Sequence, residues 1–382
     1  MNRWSLTPSG VGLVAKLELR QRVRSSRWVI MLVLWFALIA LITGLAFFAM
    51  GSQRSGPLLF SVVVFLVLTL GLLVAPALSA TTVNGDRAAG TLATLQVTLL
   101  SPAEIAVGKL LAAWTTALVF LATASPFLAL ALLLGRTSVL RVVVSLLMLA
   151  LILLAVCAIA LGWSAVCART ASSAVLTYLS VAGLAVFTLV FFGLSVPLVM
   201  TTDRVTVLQN PPGLMEPGVM PPGAEPGGEP GAGPDLAPGQ EQFPIDRSRC
   251  VETTAEREQV HTEWTWWLLA ANPYVVVADA APRAPKPPSG ATGEQYTGMD
   301  EDVLSLIQSG ARAARDGASG VVDDCWAAYD QVGSGLPEAK NTSPIWPYGL
   351  VIILGLGGVG MVGAVRRLST PVQRLSRGTR IA

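Results

Sequence analysis

The sequence is poor in the residues that carry out chemistry. Among 382 residues there is one histidine, His261, and there are four cysteines, Cys157, Cys167, Cys250 and Cys325, too few for a zinc-type ligand cluster. Only 13% of residues are charged, about half the share usual for a soluble domain. A phosphate-cradling loop is also missing. Gly108-Lys109 is the one GK pair, and Ala103 stands where the leading glycine of such a loop would be. The central parts of the apolar segments hold no ionisable group. A proton-coupled carrier needs a titratable group at depth, and a hydrolase within the membrane needs paired catalytic groups. Both classes are excluded, no enzymatic site is expected in this chain, and nothing points to a nucleic-acid partner.

What is abundant is apolar sequence: 53% of residues are hydrophobic. Runs long enough to cross a bilayer, about 20 residues each, occupy 28–50, 57–79, 106–134, 139–167, 174–200 and 345–365. The expected fold is an all-α polytopic membrane protein with six transmembrane helices and a large extracytoplasmic insertion before the last one. Pro76, Pro126 and Pro197 fall in three of the runs, where each removes a backbone hydrogen bond. The last run carries Gly355, Gly357, Gly358, Gly360 and Gly363, which permit close approach of another helix. The sequence leaves open whether that helix belongs to the same protomer.

Residues 1–27 hold Arg3, Lys16, Arg20, Arg22, Arg24 and Arg27 among scattered apolar positions, with Thr7-Pro8 as a helix start. This suits an amphipathic helix on the bilayer surface, and its long basic stretch is unlike a cleaved leader. Basic residues near the ends of the runs set the orientation. With both termini inside, the inner set numbers fourteen, while the outer loops carry only Arg54, Arg136 and Arg141. The connector after the second run is thereby expected to face the cytoplasm.

That connector, Asn84 to Lys109, is polar and broken by Gly90. Thr91 is a good N-cap for a short segment with Leu92 and Leu95 at helical spacing. Ser101-Pro102-Ala103-Glu104 is a capping box with proline at the first helical position. Asp86-Arg87, Gly90-Thr91-Leu92, Ser101-Pro102 and Gly108-Lys109 together resemble the first cytoplasmic loop of type-2 ABC exporter permeases. Asp86 stands where that family more often has glutamate. The resemblance implies a coupling interface of Asn84, Asp86, Arg87, Gly90, Thr91, Leu92, Leu95, Ser101, Pro102, Glu104, Gly108 and Lys109, docked on a separate ABC ATPase subunit. It also implies a second permease copy or paralogue, and ATP and magnesium held by the ATPase, with no cofactor in this chain. The setting would be a bacterial plasma membrane, crossed several times, with both termini cytoplasmic. The alternative is a non-transporting membrane protein whose insertion is a sensor or adhesion module.

Residues 201–344 hold 21 of the 24 acidic residues and nine of the 26 basic ones. Pro211 to Gly239 has nine prolines and eight glycines, the composition of a disordered linker. No sheet signal is read after it, and 245–340 is expected to be mostly helical. Trp264, Trp266 and Trp267 lead into an apolar segment too short to span, which should lie on or dip into the outer leaflet. A helix should open at Asp300-Glu301-Asp302 and close near Arg312 and Arg315, with Gly317 as a stop, and another should start at Ser319 and run through Cys325, Trp326 and Tyr329. A disulfide between Cys250 and Cys325 would close a loop of about 75 residues and contribute about 4 to 5 kcal/mol; the alternative is two unpaired thiols. His261 is read as solvated.

Overall fold

The structure is a computed structural model that describes residues 3–50, 56–90, 100–134, 137–209, 250–282, 302–318, 320–323 and 343–369. Six helices are long and apolar enough to cross a membrane, and each falls on one of the six apolar runs. In chain order the elements are α1 (Pro8–Val23), α2 (Ser26–Met50), α3 (Gly56–Ser79), a short α4 (Thr82–Ala88), α5 (Pro102–Leu133) and α6 (Val139–Val166). The fifth span follows as α7 (Thr170–Ala182) and α8 (Thr188–Ser195), joined by a π-helical turn at Gly183–Phe187. Beyond it come β1 (Met200–Gln209), β2 (Val251–Val260), α9 (Trp266–Ala270), α10 (Pro273–Ala280), α11 (Val303–Asp316), β3 (Val321–Asp323) and the last span, α12 (Trp346–Leu368).

The core of the bundle lies between α3, α5 and α6, where Phe60, Val64 and Leu68 meet Phe120, Ala124 and Leu128, and Leu149 and Ile152. Lipid tails are as apolar as these side chains, so close packing rather than transfer from water holds such helices together. The glycines of α12 serve that packing within the chain. A Cβ on Gly162 of α6 would lie 2.6 Å from Gly360 Cα, and one on Gly357 would lie 3.2 Å from Ala155 Cα. The helix that sequence left unnamed is therefore α6. In contrast, α2 and the fifth span are peripheral, with 17% and 11% of their apolar windows buried against 56% for α3 and α6.

Pro76 and Pro126 lie inside α3 and α5, while Pro197 falls in a 3-10 turn, Val196–Leu198, that ends the fifth span. The π turn has its own support. Asn272 is fully buried, and its Nδ2 donates to Ala185 O (2.9 Å) and Thr188 Oγ1 (2.9 Å). Its Oδ1 accepts from Tyr274 N (2.9 Å) and so caps α10. The backbone group displaced by the wide turn thereby keeps a partner.

The segment 266–281 dips into the bundle. Val276, Val277 and Ala278 join its core, and Tyr274 stacks on Phe65 (4.7 Å) and hydrogen-bonds Thr69 (2.9 Å). Thr69 lies roughly 20 Å along α3 from its start at Gly56. Buried Asp279, inside this apolar segment, accepts from Ile345 N (2.5 Å) and Trp346 N (2.9 Å), and so caps α12. It also receives Arg312 Nε (2.6 Å) from α11. Asp302 caps α11 as expected, and it pairs with Arg141 of α6 (2.6 Å), both side chains being buried. Gly317 ends α11 with φ +65°, the left-handed conformation that glycine adopts at little cost.

The insertion departs from the sequence reading in one respect. It contains a three-stranded sheet of order β2-β1-β3. β1 pairs antiparallel with β2, Met200 opposite Val260 and Gln209 opposite Val251, and β3 runs parallel to Thr206–Leu208. Val205 and Val207 are buried while their neighbours are not, a period-two signal masked because the strand follows directly on a span. The expectation of mostly helical structure over 245–340 is corrected at 251–260, and that of a helix from Ser319 is corrected at Val321–Asp323. Cys250 is disulfide-bonded, whereas Cys157 and Cys167 are free. Cys325 and the Pro/Gly-rich stretch lie outside the described residues.

Candidate functional site

Outside residues 201–344 the chain has three acidic residues, Glu18, Asp86 and Glu104. All three meet at the connector, on α1, α4 and the start of α5. Lys109 sits among them with a fully buried side chain, its Nζ paired with Glu18 and with Asp86 (2.5 Å). A lone buried ammonium would cost several kcal/mol in lost hydration. Two carboxylates, themselves partly exposed, offset that cost and bind three helices at one point.

Glu104 makes the second tie. Its Oε2 accepts from Ser101 N (2.7 Å) while Ser101 Oγ accepts from Glu104 N (3.1 Å), which completes the expected capping box. Its Oε1 accepts from Thr7 N (2.8 Å) and Thr7 Oγ1 (2.5 Å), so one carboxylate caps the beginnings of both α5 and α1. Ser101 Oγ donates to Ser5 O (2.5 Å). Between these ties α1 crosses α5 at glycine. A Cβ on Gly108 would lie 2.6 Å from Val14 Cβ, and one on Gly10 would lie 2.9 Å from the Glu104 carboxyl carbon.

The other flank is fastened to α6. Ser164 Oγ accepts from Val83 N (3.0 Å) and Asn84 N (3.3 Å). The Asn84 amide is buried among the carbonyls that end α6; with its NH2 towards them it donates to Cys167 O (2.9 Å). Ser173 Oγ of α7 donates to Ala80 O (2.7 Å), just beyond α3. Beneath these bonds Val83, Ile105, Ala106, Leu161, Ala165 and Val365 form a small apolar core of their own.

The expected interface residues thus divide. Asn84, Ser101, Glu104, Gly108 and Lys109 are buried and face other elements of this chain, with Pro102 half-buried at the first position of α5. Asp86, Arg87 and Gly90 are half-exposed, Arg87 lying near Arg367 and Gly90 having φ +73°. Ala88 and Ala89 beside them are exposed. Thr91, Leu92 and Leu95 lie outside the described residues. A groove lined by Ser5, Thr7, Ser9, Leu13, Leu100 and Glu104 opens beside the far end of the connector. Sequence reasoning missed Glu18, Thr7 as a partner of Glu104, and Ser164. The scarcity of acidic residues was the one available signal for Glu18.

Among the described residues no group of three His, Cys, Asp or Glu side chains could hold a metal ion. What the arrangement can do is mechanical. α4 follows α3 after two residues, and α5 is one helix of 32 residues, so the described parts of the connector are joined directly to the second and third spans. The fold defines a multi-pass helical membrane protein. No protein-family model and no curated protein sequence matches the chain.

Proposed function

We propose that this chain is the membrane-spanning permease subunit of an ATP-driven ABC exporter, working with a separate ATPase subunit and a second permease copy or paralogue. The observation that supports this reading best is the stiff joint at the connector. A half-exposed edge of Asp86, Arg87 and Gly90 is backed by buried ties, made by Lys109, Glu104 and Asn84, that join α4 to α1, α5 and α6. The chain has no phosphate-cradling loop of its own, so ATP-driven work must reach it through a partner, and such an edge can receive it. ATP and magnesium belong to the partner. Lys109, taken up by two carboxylates within a helix, is not free to hold a phosphate. The setting is a bacterial plasma membrane with the connector and both termini cytoplasmic.

The test is reconstitution of the chain with its ATPase in proteoliposomes. Export should require ATP. Gly90→Val, strained at a positive φ, should leave ATP hydrolysis running while export falls by roughly five- to a hundredfold, the effect of a backbone cost of 1–3 kcal/mol at the joint. A fully active preparation of this polypeptide without any ATP-hydrolysing companion would refute the reading, and so would normal export by Gly90→Val.

A further inference from the structure

His261 is not a solvated side chain. Its Nε2 lies 2.7 Å from Asp203 Oδ2 and its Nδ1 lies 2.6 Å from Glu263 Oε1. Carboxylates in their ionised form only accept, so an imidazole bonded to one on each side carries a proton on both nitrogens. The ring also stacks on Trp264 at 4.8 Å and 14°, a favourable seat for a cation.

The three residues sit where separate pieces of the insertion meet. Asp203 is on β1, and Thr201 Oγ1 donates to its Oδ2 (2.9 Å). His261 follows the last residue of β2, and its backbone N–H donates to Val199 O (2.9 Å), at the exit of the fifth span. Glu263 lies in the turn that leads into α9, and its second oxygen accepts from Ala318 N (3.2 Å), just past the end of α11. One imidazolium therefore joins the sheet, the turn that leads into the dipping segment, and the end of α11. The other charges on these elements are Glu252, Glu258 and Arg257 on β2, Arg257 directly opposite Asp203; Arg204, turned to Glu256; Arg312, paired with Asp279 of α10; Arg315, turned to Ser343 and Trp266; and Asp316 in the last turn of α11.

We propose that Asp203, His261 and Glu263 form a proton-operated clasp, closed while the imidazole is doubly protonated and released as the pH rises. The hydrogen bonds to Glu263 and then to Asp203 raise the histidine pKa above its ordinary value. Asp203 is lowered, first by its bond from His261 and then by Thr201. For Glu263 burial acts upward, but the bonds from His261 and two backbone groups outweigh it and the net shift is downward. A raised histidine contributes stability that is fully present below its unfolded pKa of about 6.5 and lost as pH climbs through the folded value. The lowered carboxylates contribute above their unfolded values and are lost as pH falls through the folded ones. The clasp is thus strongest between these limits and opens on the alkaline side.

Because His261 is the only histidine, full-length protein labelled with 13C at histidine Cε1 gives a single resonance to titrate in micelles or nanodiscs. The midpoint should lie above that of free imidazole, about 6.5. Amide protection of 200–209 and 317–318, measured by deuterium exchange corrected for intrinsic rate, should be lost over the same pH interval. Asp203→Asn should move the midpoint downward, and His261→Gln should remove the pH dependence of protection. A wild-type midpoint at or below 6.5, or protection that stays constant through the titration, overturns the proposal without reliance on either variant.

Discussion

Lys109 shows how much one side chain can decide. Its ammonium is fully buried, and among the described residues Glu18 and Asp86 offset the cost of that burial. Lys109→Met would remove the ammonium that the Glu18 and Asp86 carboxylates share. Removing one partner of a buried pair costs about 3 to 5 kcal/mol. The variant should therefore show a clear drop in thermal midpoint in detergent, and Glu18→Gln with Asp86→Asn in the same chain should restore much of it. An unchanged midpoint for Lys109→Met would mean that the tie does not hold the connector. The parts of this site visible in the sequence were those with short-range logic. Ser101 and Glu104 are three residues apart and Thr7 precedes a proline, so their caps could be read locally. Glu18 and Lys109 are 91 residues apart, and no local pattern pairs them.

Among the elements, α12 separates what a motif says from what a position does. Its glycines announce close packing, but they do not say which face is packed. Gly360 lies against Ala158 O, where a Cβ would approach to 2.8 Å, whereas Gly358 has nothing within 4 Å. Gly360→Val should force α12 and α6 apart and lower stability by about 1 to 3 kcal/mol or more. Gly358→Val, two residues away, should be near neutral. Equal thermal midpoints for the two variants would contradict the assigned face. The six spans were legible because a run of about 20 apolar residues has few other uses. The strands were not, because β1 begins at Met200, the last residue of the apolar run that reads as the fifth span, and β2, Val251–Val260, exposes most of its residues and so lacks a hydrophobic alternation. Asp279 was likewise hidden: a single acid in an apolar segment says nothing of the helix end it caps 66 residues later.

For the molecule as a whole, the ends of the bundle differ in kind. At one end α1, α4 and the ends of α6 and α12 gather most of the basic residues of the membrane part around three acids; at the other lie the sheet, α9 and α11, in a region holding 21 of the 24 acidic residues. Packed helices run between the two ends. Arg141 with Asp302, and Asp279 with the start of α12, fix the insertion to the same spans that the connector grips from the opposite side. The basic asymmetry argues that the connector end faces the cytoplasm, because lysine and arginine beside spans are retained there. Ala88 is exposed at that end, and Glu256 is exposed on β2 at the other. With Cys157 and Cys167 replaced by Ala, Glu256→Cys should react with an impermeant maleimide on intact cells, while Ala88→Cys should react only after permeabilisation. Labelling of Ala88→Cys from outside would invert the orientation and remove the connector from any cytoplasmic ATPase. Labelling of both sites from one face would break the odd number of crossings between them, and with it the bundle on which the proposed transmission depends.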